Sequence, residues 1–216
     1  MNADLHVHST RSDGKATPQE IVERAIELGL GCIAIMDHNT VQGYLDVKDE
    51  DRIIIVPGVE VTSAAGHILA YGVTEDIPPM MSVRDTVDAI HAAGGYAFAA
   101  HPHRIWSGLK EKDIVDGFDG IEGLNRRSSP SANRKAMEIA KKKGLPVSAG
   151  SDAHSLSSIG LGLVELPDAC GTWQDVMAAV LSGDVGVWCE RRTPMMTVRY
   201  GVKSIGKWIF RGFRRT

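Results

Sequence analysis

Cysteine is scarce in this chain, and the three present, Cys32, Cys170 and Cys189, lie far apart. They form no CxxC pair and no even-numbered set. A disulfide-stapled fold is therefore excluded, and a reducing cytoplasm is the expected compartment. Long hydrophobic runs are also missing: no apolar stretch approaches the roughly 18 residues of a membrane span. The opening MNADLHVHST has neither the basic start nor the apolar segment of a signal peptide. No internal repeat or low-complexity segment is evident. Acidic residues are absent from one region, Arg191 to Thr216, which carries eight basic ones. With the chain at −3 overall, those eight charges leave the body at −11. A basic tail on an acidic body needs explaining, and a carboxylate-rich site would account for part of the acidity.

What remains is ordinary globular material. The 216 residues, 43% hydrophobic, suffice for one domain with a sizeable core. Apolar, β-branched runs alternate with amphipathic stretches. Strands are expected at Leu5–His8, Cys32–Met36, Ile53–Val56, Val59–Thr62, Ile68–Tyr71, Tyr96–Ala100, Gly120–Leu124, Pro146–Ala149 and Val185–Trp188. Thr17-Pro18-Gln19-Glu20 reads as a capping box opening a helix, and Thr172-Trp173-Gln174-Asp175 caps a late one. Helices are also expected over Ser82–Ala93, ended by Gly94-Gly95, and over Ser131–Lys143, ended by Gly144. This alternation predicts a parallel α/β barrel or open sheet.

The eight histidines follow that pattern. All but His91 lie beside an expected strand, mostly at its C-terminal end, the edge where barrel active sites gather. His6 and His8 end the first strand, His38 follows the second, His101 and His103 follow Tyr96–Ala100, and His154 follows Pro146–Ala149. His67 precedes its strand and has the opposite polarity. Carboxylates track the same places: Asp13, Asp37, Glu60 and Asp152. Residues two apart on a strand point to one side, so His6 and His8 can chelate one ion. Asp152 and His154 can do likewise if the backbone there stays extended. Histidine with carboxylate suits Zn, Mn or Fe. A single HxH or DxH is weak, since a strand-end histidine is often a surface residue or a paired core donor. Several such pairs at successive strand ends carry much more weight.

These residues stand in motifs: Asp4-Leu5-His6-Val7-His8-Ser9 with Ser12-Asp13-Gly14, Asp37-His38-Asn39-Thr40, Pro57-Gly58-Val59-Glu60 with Gly66-His67, His101-Pro102-His103, and Gly150-Ser151-Asp152-Ala153-His154. In that order they resemble the PHP (polymerase and histidinol phosphatase) family over about residues 3 to 190. The resemblance implies a distorted (β/α)7 TIM-like barrel over 1–190, followed by the basic tail over 191–216. It also implies a phosphoesterase with two or three divalent ions (Mn, Zn or Fe, with Mg a further candidate). By motif, His6, His8, Glu60 and Asp152 would hold one ion. Glu60 would bridge to a second, held also by His67 and His101. Asp13, His38 and His154 would hold a third. Asp at position 13, where some members have His, resembles the small-phosphatase branch. Nucleotide phosphatases of the family often carry an inserted helical domain over the substrate. Only 33 residues separate His67 from His101 here, too few for one, and Gly108–Gly117 is the remaining candidate for a small lid.

The expected reaction is attack of a metal-activated hydroxide on phosphorus. Asp37 would orient His38 or a neighbouring ligand. Arg104 could clamp a phosphate oxygen, and Asn125, Arg126 and Arg127 are further candidates for substrate contact. His103 is either a proton donor to the leaving oxygen or a structural turn residue. The tail from Val198 onward has the period of a basic amphipathic helix. It would dock on the barrel, contact nucleic acid, or lie on a membrane surface. Three functions stay open: hydrolysis of a small phosphomonoester such as a nucleotide or sugar phosphate, a nuclease or exonuclease acting on short RNA or DNA, and a non-enzymatic metal-binding regulatory domain.

Overall fold

The computed structural model describes residues 1–190, so the tail expected to form a helix lies outside the described residues. In chain order the elements are β1 Asn2–Val7, α1 Pro18–Glu27, β2 Cys32–Ile35, α2 Gln42–Leu45, β3 Ile54–Val56, β4 Gly58–Thr62, β5 His67–Tyr71, α3 Val83–Ala92, β6 Tyr96–Ala99, β7 Gly120–Asn125, α4 Pro130–Lys143, β8 Val147–Gly150, β9 Gly162–Glu165, α5 Trp173–Ser182 and β10 Gly186–Cys189. Both capping boxes form: the Thr17 hydroxyl accepts the Glu20 N–H and the Glu20 carboxylate accepts the Thr17 N–H, and Thr172 and Asp175 repeat the exchange at α5. Such reciprocal bonds satisfy two amides that the helix itself leaves without partners.

The closed (β/α)7 barrel expected from the sequence is not what the structure contains. The strands form two mixed five-stranded sheets, β10-β9-β1-β2-β3 and β4-β5-β6-β7-β8. Among the described residues, two single parallel bridges, Val7 to Ala153 and His38 to Glu60, are the β-pairing that joins the sheets. The chain crosses from one sheet to the other at Pro57, which has no N–H to offer a ladder. At the two seams Asn39 (φ 57°) and Asp152 (φ 52°) adopt left-handed backbone, which ends extended pairing there. All-parallel order fails too: β4, β5 and β6 pair antiparallel, as do β1, β9 and β10. The strand β9 is an addition to those expected from the sequence.

Three apolar clusters hold the sheets. Leu5, Ala34, Met36, Leu69, Tyr71, Phe98, Ala149 and Val164 fill the space shared by both sheets. Val61, Ile68, Ala99 and Ile121 pack with Val87 and Ile90 of α3 and Ile139 of α4. Ile33 and Ile35 pack with Ile21, Val22 and Ala25 of α1. Strands buried on both faces read as continuous apolar runs, which is why they were visible in the sequence.

Candidate metal centre

The histidines and carboxylates meet at one end of the two sheets. His6 lies on β1 and His8 just beyond it. His38, His101 and Asp152 follow β2, β6 and β8, while Glu60 sits within β4. His67 joins them because β5 runs antiparallel to β4 and β6, so its first residue reaches the edge where its neighbours have their last or middle ones. Close approach is essential at one point. A Cβ on Gly150 would lie 2.3 Å from the Cβ of His6, so only glycine lets β8 press against β1 here.

Glu60 is the hub. Its Oε1 lies 2.9 Å from His67 Nδ1 and 2.8 Å from His101 Nε2. Its Oε2 lies 3.4 Å from His6 Nε2, 3.3 Å from His8 Nε2 and 3.2 Å from His38 Nδ1. Each oxygen therefore faces a different set of imidazoles. His6 Nε2 and His8 Nε2 are 3.0 Å apart, and Asp152 Oδ1 is 3.5 Å from His8 Nε2. Asp13 Oδ1 lies 2.8 Å from His154 Nε2 and 3.7 Å from His38 Nε2. The ligand atoms fall into four overlapping groups: His8 with Asp13, His38 and His154; His6 with His101 and Asp152; His6 with His8 and Glu60; and His38 with Glu60 and His67.

Three ring nitrogens of these residues are buried without a hydrogen bond of good geometry, namely His8 Nδ1, His38 Nδ1 and His101 Nδ1. Leaving a buried polar group unpaired costs about 1–3 kcal/mol. Two donors held about 2.1 Å from one ion at tetrahedral or right angles are about 3.0–3.4 Å apart, close to the spacings here. The residues thus fit divalent cations by donor chemistry, spacing and unmet valence.

The electrostatics are those of a buried, charge-dense pocket. Burial disfavours the Glu60 and Asp152 anions, but the groups around them prevail and hold both well below the usual carboxylate range: the His67, His38 and His6 rings for Glu60, the Arg104 and Arg127 guanidiniums for Asp152. Burial also opposes charging of His8, yet its bonds to Asp152 and Glu60 raise it to about 9. Burial dominates at His38 and His101, pulling them down to about 3 and about 4.

The remaining residues singled out in the sequence are placed unevenly. Arg104 and Arg127 both bond Asp152, and Arg127 Nη1 also lies 2.7 Å from His154 Nδ1. Arg126 instead binds Glu190 Oε2 through Nε (2.8 Å) and Nη2 (2.5 Å). Asn125 is fully buried behind the pocket. Asp37 does not bond His38. It accepts from Ser9 N (2.8 Å), Ser9 Oγ (2.5 Å) and Ser12 Oγ (2.5 Å), and so pins the loop between His8 and Asp13. The charges acting on the His103 ring are Lys135, Lys110 and Glu111, outside the cluster. The backbone at Asp152 is not extended, so its partnership with His154 differs from that of His6 with His8. Leu109 and Ile114 anchor the stretch 108–117 in the core. One residue absent from the sequence reading is Glu122, whose Oε1 is 2.9 Å from His6 Nδ1. Its only signal was an acid in an otherwise apolar strand.

This mixed α/β architecture with a histidine–carboxylate centre matches a PHP domain model over residues 4–103 and a PHP-associated model over 130–185. The 3',5'-nucleoside bisphosphate phosphatase of Chromobacterium violaceum is 33% identical over 279 aligned residues, covering 83% of this chain and 98% of that protein. The 5'-3' exoribonuclease Rnm of Escherichia coli is 24% identical over 247, covering 70% and 84%. A two-domain Bacteroides vulgatus protein described as containing a predicted PHP-like metal-dependent phosphoesterase superposes with a TM-score of 0.72 at 18% identity, over 88% of this chain and 65% of that one. The chain belongs to the PHP family, and so to the metal-dependent hydrolases of phosphoric esters. Both named enzymes exceed this chain within their alignments, by about a hundred positions that no residue here matches.

Proposed function

We propose that the chain hydrolyses a small phosphomonoester, such as a nucleotide or sugar phosphate, at a centre of two or three divalent ions. The observation that carries this reading is Glu60, with one oxygen toward His67 and His101 and the other toward His6, His8 and His38. A carboxylate so placed suits a shared ligand between two ions. His6, His8 and Asp152 would complete the first set, His67 and His101 the second, and Asp13, His38 and His154 a third. Ions held there would polarise a phosphoryl oxygen and lower the pKa of water from about 15.7 toward 7. Mn, Zn and Fe suit the donors, with Mg less matched to imidazole.

The chain's own residues supply the rest. Arg104 and Arg127, now on Asp152, sit beside the candidate ligands, where a guanidinium can turn to a phosphate oxygen. Asp37 keeps the Ser9–Ser12 loop in place, and with it the spacing of His8 and Asp13. Asp13, His38 and His154 form the exposed side of the centre, with side chains 17–30% accessible, so substrate enters there.

A second reading, exonuclease action on short RNA or DNA, is favoured by the relationship to the exoribonuclease and by the eight basic residues after position 190. Metal-free protein reconstituted with Mn, Zn, Fe or Mg and offered phosphomonoesters and short oligonucleotides separates the two. Released inorganic phosphate supports the first, and released nucleoside monophosphates the second. Release of neither by a metal-loaded protein counts against both.

A further inference from the structure

Behind the candidate ligands lies a polar pair on β7, Glu122 and Asn125, both buried. Residues three apart on a regular strand face opposite ways. Here the β7–β8 register shifts between Glu122 and Leu124, which returns Asn125 to the side of Glu122. Glu122 Oε1 lies 2.9 Å from His6 Nδ1, and Oε2 accepts the His101 N–H at 2.8 Å. Asn125 Nδ2 donates to both Glu122 oxygens, at 3.0 and 3.1 Å, and to Asp152 Oδ2 at 3.1 Å. The Asn125 amide is oriented in turn, because its Oδ1 accepts from the N–H groups of Arg127 (2.9 Å) and Ser128 (3.1 Å). One carboxylate and one amide thus touch three candidate ligands that arrive on β1, after β6 and after β8.

Resting on the metal centre proposed above, we infer that Glu122 and Asn125 are positioning residues for it. A carboxylate only accepts, so Glu122 accepts the hydrogen bond of a proton held on His6 Nδ1, which leaves the Nε2 lone pair aimed at His8 and Glu60. Its second oxygen holds the backbone of His101, a non-glycine residue at φ 30° that needs a fixed partner. Asn125 sets Asp152 at a constant distance from His6. Neither residue touches the exposed side of the centre, so their effect runs through the ligands.

Glu122→Gln tests this directly. The amide oxygen can accept from His6 or from the His101 N–H, while the amide nitrogen must face the other as a donor. Full-length metal-free protein is titrated with Co(II), following visible absorption. Affinity for at least one ion is expected to fall about tenfold to a hundredfold, with an altered absorption band. Asn125→Ala, which frees Asp152 and Glu122 from each other, should weaken binding in the same direction and carries the test if Glu122→Gln does not fold. A merely structural role would lower the melting temperature of the metal-free protein but leave affinity and spectrum of the folded fraction unchanged. Wild-type affinity and spectrum in a folded variant would overturn the inference. Failure of the wild-type chain to bind cobalt would overturn the metal centre itself, and this inference with it.

Discussion

Glycine at 43 sets two rules against each other, and the structure decides between them. Gly43 lies in the short helix α2, and its φ is not in the left-handed region. Propensity alone says that Gly43→Ala should stabilise by about 1 kcal/mol. The added Cβ, however, would lie 2.0 Å from Asp37 Oδ2, 2.8 Å from Ile35 Cγ2 and 3.1 Å from Ser9 Oγ. Ile35 is in the core and cannot retreat, so the Asp37 carboxylate must move. Oδ2 is the oxygen that accepts the Ser9 hydroxyl, and losing a bond to a charged acceptor costs about 1.5–3 kcal/mol. Overpacking adds about 1–3 kcal/mol. Together these exceed the propensity gain, for a net loss of about 1.5–5 kcal/mol and a fall in melting temperature of about 3–20 °C. Urea denaturation of metal-free protein measures it. In an Asp37→Ala background the 2.0 Å contact is gone and only those with Ile35 and Ser9 remain, so the cost of the same methyl should shrink markedly. A neutral or stabilising Gly43→Ala in the wild-type background would refute this account of the Asp37 anchor.

Other outcomes follow from single sites. His8→Ala and Asp152→Ala should each abolish Mn-dependent hydrolysis of a small phosphate ester, and wild-type turnover by either would displace them from the centre. Asp4 is buried, and burial lifts its carboxyl to about 6 against the hydrogen bonds from Ser151, Gly160 and His6. Its folded pKa exceeds the unfolded value, so its contribution to stability is complete below about pH 4 and lost as pH rises through 6, a change of about 3 kcal/mol. Asp4→Asn lacks that titration, so the wild-type minus variant difference in unfolding free energy, measured by urea at pH 4 and pH 7, should fall by about 2 kcal/mol, most of that amount. A thiol reagent should label Cys170 and Cys189 in the native protein, slowly because burial raises both thiols, and Cys32 only after unfolding. Native labelling of three thiols would show that β2 opens.

Much of the molecule can be read from local pattern. The Thr17 and Thr172 boxes depend on atoms three residues apart, so four letters suffice to place two helix starts. The long buried strands announce themselves through unbroken apolar runs, and the ligand-type residues through their recurrence beside those runs. β9 escaped because Gly162–Glu165 has little local preference and owes its pairing to β1 and β10. His103 and His101 look equivalent as neighbours in one motif. The backbone is left-handed at both (φ 30° and 62°), yet the His101 ring meets Glu60 while His103 stands outside the ligand groups.

Residue chemistry and spacing therefore determine which side chains can bind metal and where most elements begin. Strand direction, the division into two sheets and the carboxylate behind His6 depend on partners distant in sequence. His67 reaches the centre only because β5 runs backward. Glu122 matters only because β7 lies behind β1. Neither relationship has a local cause, since hydrogen-bond pairing between strands is decided when the sheets assemble, and no short window of residues records which strand will lie alongside.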